Sequence, residues 1–542
     1  MPKFPAYFFL TILLGLASCA QVVSPSGGER DRQAPQILSI DPAQETTNFT
    51  ATEISIEFDE FIRLNQLNQQ LIVSPPLKYP IETKLKGKKL LITLKDTLKN
   101  NSTYVMNFGE SIVDITENNP LSNFQYVFST GNQIDSLSLS GKVLDAFSLE
   151  VKEKAIVMLH PDTEADSAFY LELPHYIGRT DQKGDFQLTN IAEGTYSLFA
   201  LIDANNNYLY DRPDEEIAFK REKINLQENL SAVNLFTFQE ISSDKQFIDK
   251  EIWKDNQLTL AFKKAVQNLQ FSFIDTAATD LILDFRINEK KDSAFFWMKE
   301  MKQKKRYQLA LSDDSSGLSD TLKLKFDSLS PLKKLKPETN LSKNIPFYRP
   351  LQLRFNRPIK AIDTNAIFLW DADSNKIDLS IQIDSVFKNR LHFHFKMNED
   401  SSYFLQILPG AIQDIFDRKL EDTLSQKLKV DQASDYGSLS IKVKGLNPEL
   451  PMIFQLTNAT GKVLRSKITE EISLKFELLK AGIYRIKVIL DKNNNGEWDP
   501  GNYQQNIQAE KTYIFDENIQ IRSNWDKEID WIIQPLQNEN KK

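Results

Sequence analysis

The chain runs to 542 residues with a single cysteine and a net charge of −8 at pH 7. One thiol cannot form an internal disulfide, so the fold must rest on packing. A pI near 5.4, with no arginine-rich segment or basic stripe, argues against nucleic acid as a partner.

The first element is an apolar run from Ala6 to Ala17, preceded by Lys3. It is shorter than the ~20 residues that span a bilayer. A weak positive start, a short apolar core and small residues at its end are the marks of a secretory signal. The run closes in Leu16-Ala17-Ser18-Cys19, which resembles the lipobox of bacterial lipoproteins. That resemblance implies removal of residues 1–18 and conversion of Cys19 to a lipidated N-terminus, with palmitate among the expected acyl chains. Firm membrane attachment takes two or more such chains, and the family's cysteine carries several. The alternative is an ordinary secretory signal with an incidental cysteine. Cys19 is followed by Ala20-Gln21 and not by Asp, so the inner-membrane retention signal of some Gram-negative lipoproteins is missing. Outer membrane is the expectation, with the periplasmic or exterior face left open. Residues 19–33 form a lipid-anchored tether, polar and containing Pro and Gly from Val22 onward.

From Gln36 onward, apolar and polar residues alternate in short runs. Ile54-Ser55-Ile56-Glu57-Phe58, Leu351-Gln352-Leu353-Arg354-Phe355, Leu439-Ser440-Ile441-Lys442-Val443 and Tyr484-Arg485-Ile486-Lys487-Val488 are examples. Each puts its apolar side chains on one face of a strand. Helical periodicity is scarce. Ser293 to Lys305 is one candidate, although Ala294-Phe295-Phe296-Trp297 could equally begin a strand. The expected fold class is all-β, built of serial Ig-like β-sandwich domains after the signal peptide.

Repetition sets the boundaries. An early segment contains Phe58-Asp59-Glu60, then Thr103-Tyr104-Val105-Met106-Asn107-Phe108, Ile112-Val113-Asp114, Asn118-Asn119-Pro120 and Phe128-Ser129-Thr130-Gly131. The order returns in Phe355-Asn356-Arg357, Tyr403-Phe404-Leu405-Gln406-Ile407, Ile412-Gln413-Asp414 and the turn at Asp417-Arg418. A weaker copy runs through Arg306 to Leu311, Gly317 and Asp320-Thr321-Leu322. This pattern resembles the SbsA-type bacterial Ig-like domain. Two other segments share Gly141 or Gly437 near the start, and Gly194-Thr195-Tyr196 or Gly482-Ile483-Tyr484 later. They resemble Cna-B-like or transthyretin-like sandwiches. The expected division is an Ig-like domain at 34–132, a Cna-B/transthyretin-like sandwich at 136–240, and a degenerate sandwich at 241–333. A second Ig-like domain at 334–432 and a C-terminal sandwich at 435–537 follow.

Both members of the second pair run from their Tyr strand into an acidic, Asn-rich loop. One places Asp203, Asn205, Asn207 and Asp211 at loop positions one, three, five and nine; the other places Asp491, Asn493, Asn495 and Asp499 there, with Glu497 between. Alternate oxygen-bearing residues with a glycine at position six are what a calcium loop uses. Gly496 fills that position in the second loop and Tyr208 in the first, which makes the first the weaker candidate. Neither loop ends in a bidentate Glu at position twelve, where Asp214 and Asn502 stand. Such strings also close hairpins without any ion.

Catalytic motifs are missing: there is no nucleophile elbow, no His-Glu-x-x-His, no phosphate loop and no cysteine nucleophile. His392 and His394 lie on one strand face and could hold zinc, but Leu391, Phe393 and Phe395 opposite them suggest a polar outer face. Phe295, Phe296, Trp297 and Trp498 could stack on sugars or peptides, or simply fill cores. The expected function is a non-enzymatic, lipid-anchored envelope protein acting as scaffold, spacer or adhesion module, with an envelope protein or a glycan as partner. The rivals are a glycan- or peptide-capturing lipoprotein of an uptake system and a carboxylate-based hydrolase.

Overall fold

A computed structural model describes residues 32–162, 167–240, 248–254, 256–263, 265–274, 281–299, 306–314, 316–325, 332–338, 343–446 and 450–533. The signal segment, Cys19 and the tether up to residue 31 lie outside the described residues. Among those described, nearly every regular element is a strand, and no helix is long and apolar enough to cross a membrane. The architecture is a series of β-sandwiches. Two compact units divide it: residues 1–145 with 150–237, and residues 146–149 with 238–542.

In the first unit, Glu53–Phe58 shows how alternation becomes a sandwich. Ile54, Ile56 and Phe58 are fully buried, and the strand pairs antiparallel with Ile37–Asp41 and Lys89–Thr93. Their buried face shares one core with Tyr104, Met106, Tyr126 and Phe128, which come from the sheet of Ile72–Ser74, Thr103–Asn107 and Gln125–Ser129. The Tyr104 hydroxyl accepts a hydrogen bond from Lys99 N at 2.8 Å. Asp114, 1 % exposed, closes the following turn by accepting from the amides of Glu117, Asn118 and Asn119.

The same devices recur in the second unit. The Tyr403 hydroxyl accepts from Asn398 N at 3.1 Å, and Asp414 accepts from Phe416 N and Arg418 N. Asn356 replaces Asp59 without loss of role. Asp59 Oδ1 accepts from Gln36 N, and Asn356 Oδ1 accepts from Lys336 N. Arg357 has no counterpart in the first copy; it is buried and bonds Asp414 Oδ2 through Nε at 2.6 Å.

The remaining repeated sandwich has a different signature, its first strand running parallel to its last. Leu137–Asp145 pairs with Leu230–Gln239 in this way, and Tyr436–Lys444 with Asp526–Ile532. Glycine permits the approach. A Cβ on Gly141 would stand 1.8 Å from Val233 O, and one on Gly437 would stand 2.5 Å from Arg522 O. In each copy a tyrosine hydroxyl donates to a carbonyl four residues earlier, Tyr196 to Ala192 and Tyr484 to Lys480.

Residues 248–325 pack a four-stranded sheet on a three-stranded one around a separate core. Ser293–Met298 is a strand, not the start of a helix, and residues 300–305 lie outside the described ones. Ala294, Phe296 and Met298 are buried on one face. Trp297, on the other face, is only 1 % exposed because the Arg286 guanidinium covers it at 5.0 Å from the ring centroid. Burial on both faces explains why this run shows no clean alternation. Arg286 itself bonds Asn389 Oδ1 at 2.6 Å, joining this sandwich to the next within the unit. Burial, together with the nearby Arg354 and Arg390, lowers its pKa to about 10.

Two substitutions test these devices. Gly141→Ala should cost about 1–3 kcal/mol or more through backbone overlap, measured as a lowered urea midpoint for the unit that contains it. Asp414→Ala should cost about 3–5 kcal/mol, because it strands the Arg357 charge in the core; a shift under about 1 kcal/mol would show the pair to be dispensable.

Candidate functional site

The two Asn-rich loops leave the ends of the strands Gly194–Ile202 and Gly482–Leu490, so each is fixed at one end by a sheet. Asp203 nucleates the first by accepting from Asn206 N at 2.6 Å and Tyr208 N at 2.8 Å. Asp491, fully buried, nucleates the second by accepting from Asn495 N at 3.1 Å and Gly496 N at 2.8 Å. Gly496 adopts φ 81° and Tyr208 φ 63°, so the first loop makes the same turn with a bulky residue in left-handed backbone.

Within each loop the asparagines reach the ninth position. Asn205 and Asn207 donate their amides to Asp211 at 3.0 and 2.7 Å. Asn493 and Asn495 donate to Asp499 Oδ2, both at 2.7 Å. The structure therefore brings together Asp203, Asn205, Asn207 and Asp211, and likewise Asp491, Asn493, Asn495 and Asp499. It leaves the Glu497 side chain exposed, without a hydrogen bond or ion pair among the described residues.

Each loop also contains a carboxylate that the spacing rule passed over. Glu215, fully buried, accepts from Ala204 N, Asp211 N and Arg212 N, each at 3.2 Å. Glu510, 5 % exposed, accepts from Lys492 N at 2.7 Å and Asp499 N at 3.2 Å. Burial pushes the pKa of both upward, against the pull of those amides. Asp203 adds to the rise at Glu215, and Asp499 and Asp491 add to it at Glu510. Trp498 sits over the second loop with Nε1 donating to Glu510 O at 2.9 Å, an anchoring role.

Chemically, the donor set is all oxygen, which suits a hard cation and not zinc. No group of three or more His, Cys, Asp or Glu side chains is arranged to hold a metal among the described residues. As they stand, the loops are closed by their own hydrogen bonds, with asparagine amides facing the ninth-position aspartates. A cation would require those amides to turn their oxygens inward. His392 bonds Asp384 through Nε2 at 2.9 Å and stacks on His394 at 6.3 Å, above the buried Leu391 and Phe393.

A family model described as a bacterial Ig-like domain matches residues 31–130. No curated protein sequence matches the chain. Among solved structures, the chain is similar to the Bacillus anthracis TIE protein, at 13% identity and TM-score 0.15 over 94% of this chain and 76% of that one. It is similar also to BcpA, the major pilin subunit of Bacillus cereus, at 10% identity and TM-score 0.14 over 74% of this chain and 99% of that one. The surface layer protein SbsC, domains 1–6, matches at 7% identity and TM-score 0.14 over 91% of this chain and 68% of that one. At such TM-scores these likenesses carry no functional argument.

The buried glutamate gives a pH test. Its folded pKa is raised above the usual 4.5, so the folded chain binds the proton more tightly than the unfolded one. The stability it contributes is full below the usual value and is lost as pH rises through the elevated one. Glu510→Gln should flatten that decline, read from melting temperatures between about pH 4 and about pH 8 in EDTA. An unchanged slope would place the titration elsewhere.

Proposed function

We propose that this chain is a non-enzymatic, lipid-anchored protein of the bacterial outer membrane, serving as a modular scaffold, spacer or adhesion protein. The observation that supports it is the succession of separate sandwich cores, five clusters of buried residues spanning 49–128, 139–235, 258–324, 335–430 and 439–533. Domains of about a hundred residues with their own cores are the usual unit of such chains, and a series of them carries a surface away from its anchor. Under this reading the modules at 34–132 and 334–432 are SbsA-type, and those at 136–240 and 435–537 are Cna-B-like. Cys19 is the lipidated residue, carrying palmitate among its chains.

Calcium belongs to the same proposal. The Asp491 loop is the better candidate and the Asp203 loop the weaker, with affinity of roughly 0.1–1 mM, as in extracellular modules. A bound ion would draw Asp491, Asp499 and the asparagine oxygens together and stiffen the end of the C-terminal sandwich. The fully buried Glu215 and nearly buried Glu510 support the reading, because a cation offsets the repulsion among these carboxylates.

Two measurements test this. Cys19→Ser should abolish incorporation of labelled palmitate and release the protein from the membrane fraction; retained label would overturn the anchor. The soluble chain from about residue 21 should melt at higher temperature in millimolar calcium than in EDTA, and Asp491→Ala should remove the difference. Identical melting in both would reduce the loops to hairpin closures.

A further inference from the structure

The sandwich that ends at Val430 and the one that begins at Tyr436 belong to one compact unit. Where they meet lies an open cavity of about 520 Å3, within the range of roughly 300–1,000 Å3 typical of small-ligand sites. One wall is the segment 344–352; the other comes from Tyr436, residues 464–465, 478–480 and Tyr484.

Its chemistry contrasts with that of the whole molecule. The chain is acidic, at net −8, yet the cavity is lined by Arg349, Arg465 and Lys480 and by no carboxylate. Asp431 lies behind the wall, 5 % exposed, and pairs with Lys480 at 3.0 Å. Three cations less that one anion leave two positive charges facing the cavity. Arg349 has no hydrogen bond or ion pair among the described residues and is exposed. Arg465 is held by donating to Glu477 O and Leu478 O, which uses two of its five N–H donors and fixes the plane of the rest.

Beside these cations stands Tyr348, 40% exposed. It packs against Phe347 and the buried Tyr436, with ring centroids 5.4 and 5.6 Å apart, and the Arg349 guanidinium lies over its ring at 5.9 Å from the centroid, so aromatic ring and cation form one partly exposed surface. A partly exposed aromatic ring next to two guanidinium groups favours a ligand that carries both an apolar ring surface and a fixed anion. A peptide adding as a strand fits less well. Pro346 and Pro350 remove two backbone donors from the segment 344–352, and such donors are what strand addition uses.

We propose that this cavity binds an acidic sugar residue of the hexuronate class. The sugar ring lies against the exposed part of Tyr348 and its carboxylate meets Arg349 and Arg465. The site makes a glycan, not a protein, the ligand of this junction, and it is independent of Cys19 and of the Asn-rich loops.

The test is calorimetric titration of the soluble chain with tetragalacturonate, in EDTA so that calcium chelation by the sugar does not interfere. Maltotetraose serves as the neutral control and hexaglutamate as the acidic peptide. Tetragalacturonate should bind at least about tenfold more tightly than either, and the affinity should fall with added salt. Arg349→Gln, at an exposed position, should weaken it about tenfold or more while leaving the melting temperature unchanged, and Tyr348→Ala should weaken it as much while the chain still unfolds in a cooperative transition. Absence of binding, affinity unchanged from the parent chain in both variants, or hexaglutamate binding as tightly as the sugar would each overturn the proposal. None of these outcomes bears on the lipid anchor, which the palmitate experiment reads separately.

Discussion

A nearly buried carboxylate, Asp431, governs how the last two sandwiches meet. It accepts the Tyr436 hydroxyl at 2.7 Å and the Lys480 ammonium at 3.0 Å. Burial alone would raise its pKa, but the Tyr436 hydroxyl and Lys480 outweigh that and hold it below the usual carboxylate range. A buried charge is tolerable only when paired and hydrogen-bonded. The linker that carries Asp431 is therefore tied to two strands of the following sandwich, Tyr436–Lys444 and Ser473–Lys480. Tyr436, so fixed, backs Tyr348, and Lys480 becomes part of the cavity wall. The Arg286–Asn389 contact follows the same rule one junction earlier, with Lys388–Asp284 at 2.5 Å and Arg390–Glu289 at 2.9 Å beside it. In the first unit Asp135 accepts from Thr103 Oγ1 at 2.8 Å, and its carbonyl accepts from Asn190. Paired polar side chains, on linkers at Asp431 and Asp135 and on strands at Asp284, Arg286 and Arg390, thus fasten neighbouring sandwiches within each unit.

Strand periodicity was legible because alternation reports one buried face directly. Ile54, Ile56 and Phe58 needed only that rule, and so did Leu353 and Phe355. The order of motifs in the two Ig-like segments was legible for a second reason. Tyr104 and Tyr403, like Asp114 and Asp414, perform backbone hydrogen-bonding tasks that few other side chains can take over. Ser293–Met298 was ambiguous because its outward face is covered by Arg286, and no single-strand pattern encodes a neighbour's arginine.

The hydrogen-bonded turn of each loop follows from positions one, three, five and nine, whereas Glu497 stays outside it and the closing glutamate lies beyond that spacing. Glu215 lies twelve residues after Asp203, whereas Glu510 lies nineteen after Asp491, because an extra excursion separates the C-terminal loop from its glutamate. A fixed spacing rule finds neither. The signal that remains is physical: an acidic residue just before a strand, at Glu216–Phe219 in one copy and Thr512–Ile514 in the other. The strand returns the chain beside the loop and delivers the carboxylate to the same amides.

The junction cavity was illegible for a different reason. Its walls come from residues more than eighty positions apart, and neither Tyr348-Arg349 nor Leu464-Arg465 forms a motif by itself. What makes it a binding site is a local reversal of sign in an acidic chain. In physiological salt, fields fade over about 8 Å, so an anion within the cavity senses the two uncompensated cations far more than the distant net charge. The acidic remainder of the surface then works as a filter. It discourages loose association of polyanions elsewhere and favours contact at the cavity, where guanidinium groups and a partly exposed tyrosine coincide.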